Sequence, residues 1–555
     1  MVQTRVTSQR QIGYVPHTSV SGEAWQCVQT GITDSAGAAN GTTLIDSNGD
    51  SGAAHTFAGR YWVRCKDGDN ENLMKRIAAD DGAGTLTLEN NGFPNQVASG
   101  VAYEIWLSPE PVVVVDSSSG ETNMVDAVRA EADDYWLDFY ACPITGNRRG
   151  RIAKITDHVS GSGTFTLEAG LGGALAAGDV VLLRRFFEAS DIGPGVSTGY
   201  EETPMDRLDG NRGDGRVVSK SGNITFSTEL YGLAAASASG SAARRAPFSH
   251  MMQAGGYKEI IGTSSTIGAG STTSAISVAT GSWENHPIDS VVTWNGEMRF
   301  VTSTSDGGAG VDTVNVAPPL TVAPVDGETL RGGITYRRNR NGSDGDYLGV
   351  CLEYEVDGVR YTMTGCKGNV STVDGERLML SWDLQVDHWV REIERAPYYA
   401  GSAYPSARPI MATERKCWVD TTATDMGGIT ASLNNEVAPK SVQGSSGING
   451  RTGFGHVSTA AGATFRQLLD ADGELPADER FNARTALAFT VVYGGGYRTS
   501  FGLRIPQARV VQDPMPEDAA GMLDAPNVLR AHDPGTATDG DGTVTRKADF
   551  MVAYG

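Results

Sequence analysis

Between residues 378 and 386 the chain alternates, with Leu378, Leu380, Trp382, Leu384 and Val386 on one face and Ser381, Asp383 and Gln385 on the other. Patterning with period two predicts a half-buried strand of an antiparallel sheet. The stretch follows Asp374-Gly375, a pair that favours a tight hairpin turn. A second pair, Asp541-Gly542, precedes Val544, Ala548, Phe550, Val552 and Tyr554, which are read as one face of a matching strand. A chain built this way folds as sheets, and the question becomes how many and in what order.

The segments upstream of each turn also match. Ala246-Pro247-Phe248-Ser249-His250-Met251-Met252-Gln253-Ala254-Gly255-Gly256 and Ala463-Thr464-Phe465-Arg466-Gln467-Leu468-Leu469-Asp470-Ala471-Asp472-Gly473 share Ala, Phe, Ala and Gly. In both, two large apolar residues fall three and four places after the Phe, which predicts one stripe of a short helix. Pro247 suits a first helical turn, Thr464 with Gln467 forms a capping-box pattern, and glycine ends each copy. Strand-like segments precede the helices, at Gly222–Leu230 and Gly450–Ser458, and others follow, at Val359–Val370 and Tyr497–Val510. Each half therefore reads strand, helix, strand, turn, strand, which predicts a tandem duplication of a sheet with a flanking helix.

A weaker pattern occurs three times. Arg151–Ile155, Gly163–Leu167 and Gly178–Leu183 form one set; Met298–Thr302, Val311–Val316 and Gly327–Leu330 a second; Leu73–Ile77, Gly84–Leu88 and Gly100–Ile105 a third. Each reads as strand, glycine-rich turn, strand, loop and strand, which predicts a small barrel or sandwich. The expected division is an N-terminal strand or arm of the first large domain at 1–26, small modules at 27–110 and 111–195, and the first large domain at 196–256. A third module at 257–338 interrupts that domain, which resumes at 339–400, and the second large domain occupies 401–555. Gly- and Ser-rich segments at Asp191–Gly199, Ala234–Ala243 and Ala400–Ala407 are expected to be linkers or loops.

Patterns that could carry chemistry each lack a required part. Gly195-Val196-Ser197-Thr198-Gly199 matches a nucleophile elbow, but a strand before it and a helix after it are needed, and it follows Pro194. Asp46-Ser47-Asn48-Gly49-Asp50 opens like a calcium loop, yet Ser51 stands where glycine and Phe57 where glutamate belong. Asp67, Asp69 and Glu71, and Asp539 with Asp541, read as solvated turns. Asp133/Asp134 and Glu201/Glu202 read as charged loops rather than glycosidase carboxylates. The eight histidines have no metal-ligand spacing, and no phosphate-binding Gly loop with its Lys is present. No catalytic, cofactor-binding or metal-binding residue is assigned, and no cofactor is expected.

Net charge is −21, which opposes general binding to DNA phosphates and suits either a surface past which a polyanion slides or solubility alone. The six cysteines have no CxxC pair and are expected to be reduced, mostly buried thiols. No run of about 18 apolar residues exists to span a membrane, and residues 1–7 lack a signal-peptide core, so a cytosolic site of synthesis is expected.

Four places resemble the tail tube proteins of long-tailed bacteriophages. They are Gly222–Gly232 with Gln253–Gly256; Gly365–Val370 with Gly375–Leu378; Leu503–Arg509 with Asp539–Gly542; and Tyr14–Gly22. Together they span about half of the chain, and the inserted modules depart from the family's plainer members. The resemblance implies a β-sandwich or barrel with a flanking helix. It also implies rings stacked into a tube for DNA, in the virion, with tape-measure, terminator and baseplate proteins as partners. Most members place six one-domain subunits in a ring, so a tandem chain is expected to form a three-chain ring, with six chains as the alternative. Ile224, Phe226, Leu380, Trp382, Phe550 and Val552 are expected to pack the sandwiches. Phe248, Met251, Met252, Phe465, Leu468 and Leu469 are expected to dock the helices. A distal tail or baseplate hub and a carbohydrate-binding or depolymerase fibre are the rival readings.

Overall fold

A computed structural model describes residues 10–18, 24–48, 57–89, 92–116, 120–133, 135–201, 216–232, 248–308, 310–338, 348–356, 358–393, 409–440, 448, 453–468, 484–497, 499–512, 517–519, 522–539 and 544–555. The protein is mainly β, with 54% strand and 4% helix, and its sheets are antiparallel, one of them a half-barrel.

The large sheet contains the same arrangement twice. In the first half six strands matter: Arg10–Pro16 (β1), Ser190–Glu201 (β2), Arg216–Glu229 (β3), Val350–Val356 (β4), Val359–Asp374 (β5) and Leu378–Val386 (β6). In the second they are Arg415–Val419 (β7), Met426–Ser432 (β8), Gly462–Leu468 (β9), Leu487–Tyr493 (β10), Phe501–Val510 (β11) and Met522–Ala531 (β12). Spatial order in the first half is β1-β4-β5-β6-β3-β2. In the second it is β7-β10-β11-β12-β9-β8, which is the same permutation.

The irregularities repeat too. One bulge separates Gly193↔Thr225 from Ser190↔Ser227, and its counterpart separates Thr430↔Thr464 from Gly427↔Arg466. Another separates Val350↔Cys366 from Leu352↔Met363, and its counterpart separates Leu487↔Ala508 from Phe489↔Ile505. A bulge displaces one residue and reverses the faces beyond it, so matched bulges preserve matched faces. The halves join through a seam in which Ser371, Thr372 and Val373 of β5 oppose Ser432, Ala431 and Thr430 of β8.

This register corrects the second helix. Residues Gly462–Leu468 form β9, with Ala463 and Phe465 buried and Thr464 and Arg466 exposed. Counted from the matched bulges, Phe465 occupies the place of Phe226, not that of Phe248. The stretch Ala-Thr-Phe-Arg carries period two as well as helical spacing, and pairing with β8 and β12 decides in favour of the strand. Leu469–Gly473 lie outside the described residues. The first helix does form, at Ser249–Ala254, with Phe248, Met251 and Met252 buried. Phe248 meets the rings of Trp382 and Tyr554 at 6.1 and 6.2 Å.

Two further expectations change. The segment Asp191–Gly199 belongs to β2 rather than to a linker. Val544 lies in a short strand, Val544–Arg546, separate from Met551–Tyr554. All four residues of the latter are buried, because Val552 and Tyr554 face the main core while Met551 and Ala553 face the third module. The Asp374-Gly375 hairpin forms between β5 and β6; Asp541 and Gly542 lie outside the described residues, as do Ala234–Ala243 and Ala400–Ala407.

The three small repeats are one fold. Six-stranded units at 26–107, 112–187 and 265–332 all place their strands in the order first-sixth-third-fourth-fifth-second. Each closes back on itself: single bridges Ser35↔Ile45 and Ile267↔Val278 link first and second strands. In the middle unit the Asp116 amide donates to the Val125 carbonyl at 2.9 Å. Closure removes the exposed edges that a small sheet would otherwise present. Every fourth strand has its bulge at the same point, after Ile77, Ile155 and Val301. Before each sixth strand stands a glycine, Gly100, Gly178 or Gly327, with φ of 85, 85 and 84°, a conformation that glycine adopts without strain.

The modules pack tightly on the large sheet. The strand Val180–Phe187 of the second module continues alongside β1. The third hangs on the paired strands Tyr257–Ile261 and Ile334–Arg338, the latter also pairing with Met551–Tyr554. Its Val291, Met298 and Phe300 pack on Trp418, Val492 and Met551. The first module sets Trp62 and Trp106 around Trp25, whose indole donates to Thr364 Oγ1 at 2.8 Å.

Where modules one and two meet the sheet, seven buried charges alternate in sign. Arg360 bonds Glu392 and Glu89, both at 2.9 Å, and Glu89 reaches Arg76 at 3.2 Å. Arg76 and Arg184 both bond Glu110, and Arg184 bonds Glu353 at 2.7 Å. Burial alone would raise the Glu110 carboxyl, but Arg76 and Arg184 outweigh it and hold it at about 2. That value lies below the unfolded one near ~4.3. Its contribution is therefore complete above the unfolded value and is lost as pH falls towards 2. Glu110→Gln is expected to cost about 3–5 kcal/mol, since it strands two buried guanidiniums. Urea unfolding would show a lowered first midpoint and less loss of stability between pH 4 and 2; an unchanged midpoint would contradict the assignment.

Candidate assembly edge

The described residues hold no group of three or more His, Cys, Asp or Glu placed to bind a metal ion. Asp46 is committed internally: it accepts from Tyr103 Oη at 2.7 Å and from the Asn48 amide at 3.0 Å. Gly49–Thr56, the rest of that acidic loop, lie outside the described residues. Asp67 accepts from the Ala102 amide at 2.8 Å, and Glu71 from Asn72 Nδ2 at 3.3 Å. Asp133 accepts from the Ser160 amide at 2.8 Å, while Asp134 and Glu202 lie outside the described residues. These carboxylates serve turn geometry.

The Gly195–Gly199 motif sits inside β2, with Ser197 opposite Ser221, and so lacks the strand-to-helix turn that exposes a nucleophile. Five cysteines are buried and all six are free thiols. Burial pushes the Cys65 and Cys417 thiols up to about 12, with nearby Asp67 adding to the first, which opposes a reactive thiolate. His286 is driven down to about 4 by burial alone and is neutral at pH 7.

A cleft of about 950 Å³ opens beside β7 and β8, lined by Arg415, Trp418, Met426 and Arg466 among others. Its buried side is already satisfied: Arg415 Nε donates to the Met426 carbonyl at 2.6 Å, and its guanidinium lies 3.4 Å from Asp374. No nucleophile–base pair lines it.

What the fold does leave open is backbone. Strand β2 pairs with β3 on one side, and no ladder covers its other side among the described residues. Its counterpart β8 is covered on both sides, by β9 and by β5 across the seam. Gly193, Pro194 and Gly195 of β2 are exposed at the positions that Thr430, Ala431 and Ser432 fill in the seam. An uncovered row of peptide groups invites strand addition. Pro194 removes one donor from the row, which limits indiscriminate pairing at an edge. Past its pairing with β10, β11 leads to Val511, 47% exposed, at the position equivalent to Asn369. Asn369 itself is engaged at the seam, where its Oδ1 accepts from Ser432 Oγ at 3.0 Å.

None of these edge residues was selected from the sequence, because an edge is a property of pairing and leaves no mark on periodicity. If the acidic turns are structural, adding calcium or EDTA should leave the melting midpoint unmoved; a rise with calcium would reinstate the Asp46 loop as a site. No family model matches the chain, and no curated protein matches it.

Proposed function

We propose that this chain is a structural virion protein that polymerises into stacked rings, the tail tube of a long-tailed phage, with no enzymatic role. One observation carries the reading: a single chain holds two copies of one strand order joined edge to edge, with the first copy's matching edge open. A unit that already extends its own sheet by a second copy is suited to extension by another chain. Head-to-tail use of one edge and its complement gives rings when the rotation closes.

Other features agree. The modules are closed units whose strands do not compete for the open edge. Net charge of −21 suits a conduit through which DNA passes without sticking. Two half-sheets per chain favour three chains in a ring that most relatives of the resembled family build from six. Tape-measure, terminator and baseplate proteins are the partners this role requires, and the host bacterial cytoplasm is the place of synthesis and assembly.

Electron microscopy of the purified protein, with native mass measurement of the ring, tests the proposal. Hollow fibres of constant bore with three chains per ring are expected. Isolated rings that never stack would favour a baseplate or distal tail hub, and persistent monomers would defeat the assembly reading altogether.

A further inference from the structure

We infer that the junction between the third module and the second half of the large sheet is a binding site for a small organic carboxylate, held by Arg504. Its occupancy does not depend on how chains assemble.

Matched positions in the two halves of the sheet carry opposite charges. Counted from the second bulge, Glu353 and Thr362, which face each other on β4 and β5, correspond to Thr490 and Arg504, which face each other on β10 and β11. In the first half the buried charge is Glu353, and the second module answers it with Arg184 at 2.7 Å. In the second half the buried charge is Arg504, 6% exposed, and the third module offers it only a carbonyl. Arg504 Nη1 donates to Ala317 O at 3.0 Å and to Thr490 Oγ1 at 3.3 Å. Burial pulls the guanidinium down to about 10, with Asp289 the one acid opposing, so it stays charged at neutral pH. Asp289 itself is spent elsewhere: its Oδ2 accepts from the Ala548 amide at 2.7 Å and from Arg337 at 3.3 Å. A buried cation without a paired carboxylate is costly, and an anion from outside would offset that cost.

Arg504 lines a pocket of about 370 Å³. Small-molecule sites span roughly 300–1,000 Å³ and favour junctions between structural units. With Nη1 engaged, Nε and Nη2 are left without a protein acceptor among the described residues. Those two N–H groups point in parallel from one edge of the guanidinium, an edge that matches both oxygens of one carboxylate. Half-buried Lys547 lines the same pocket and supplies a second cation. Val301, Leu487, Pro506 and Met551 line it too, so a short hydrocarbon tail is covered together with the charged head. Asp289 and Asp420 complete the wall, which opposes a dianion such as phosphate and favours a single negative charge.

The test is calorimetric titration of the full-length chain with sodium hexanoate, against sodium chloride at equal ionic strength. Saturable binding and a raised melting midpoint are expected. Both are expected to vanish in Arg504→Gln, and neither is expected with hexanol or inorganic phosphate. Lys547→Gln is expected to weaken hexanoate binding severalfold, and it decides the matter where Arg504→Gln does not fold. Binding no stronger than that of chloride would mean that water alone serves Arg504, and would overturn the site. Hexanol binding as well as hexanoate, phosphate binding in its place, or hexanoate binding unchanged in a folded variant would overturn it equally.

Discussion

Seven buried ionic side chains, Glu392-Arg360-Glu89-Arg76-Glu110-Arg184-Glu353, hold two modules and the large sheet in one orientation. Stripping water from so many charges costs several kcal/mol per ion, and only strict alternation offsets it. Lys75, 4.0 Å from Glu392, adds a fourth cation and brings the two signs to parity. An apolar contact of equal area would hold the modules about as firmly, but it would tolerate sliding. An alternating chain does not: a displacement by one residue places like charges together. Its members come from the first module, the link to the second, the second module's last strand, β4, β5 and the strand His388–Ile393 that pairs with β5, so no part can shift alone. The sheet that carries the open edge is thereby presented in a fixed pose.

Much of the fold was legible wherever the signal was local. The alternation from Leu378 to Val386 gave β6, and its buried face is as expected. The three glycine-turn repeats marked strands in all three modules, because each module encodes its strands within about 80 residues. The helix at Phe248 was visible for the same reason. Its apparent twin at Phe465 was not a helix, since seven residues there satisfy two periodicities and only tertiary pairing chooses. The expected alignment of the two halves was displaced: β9 matches β3 in register, where the expectation set it against the helix.

What escaped the sequence is what depends on distant partners. Glu89 and Arg360 meet across 271 positions, and nothing near either announces the other. The matched bulges at Gly193 and Thr430 are conformational, with glycine at one and threonine at the other. The open edge of β2 was hidden further, because Gly, Pro and Ser read as linker until β3 is placed beside them.

The third module leaves and rejoins the large sheet through two strands that are hydrogen-bonded neighbours, Tyr257–Ile261 and Ile334–Arg338. A hairpin of any size joining those strands would satisfy the same backbone, so the pairing in the large sheet does not depend on the size of the inserted module. The packing does. Trp418, Val492, Met551 and Ala553 form a permanent apolar seat under the present occupant. A loop that did not cover them would expose that apolar patch to water.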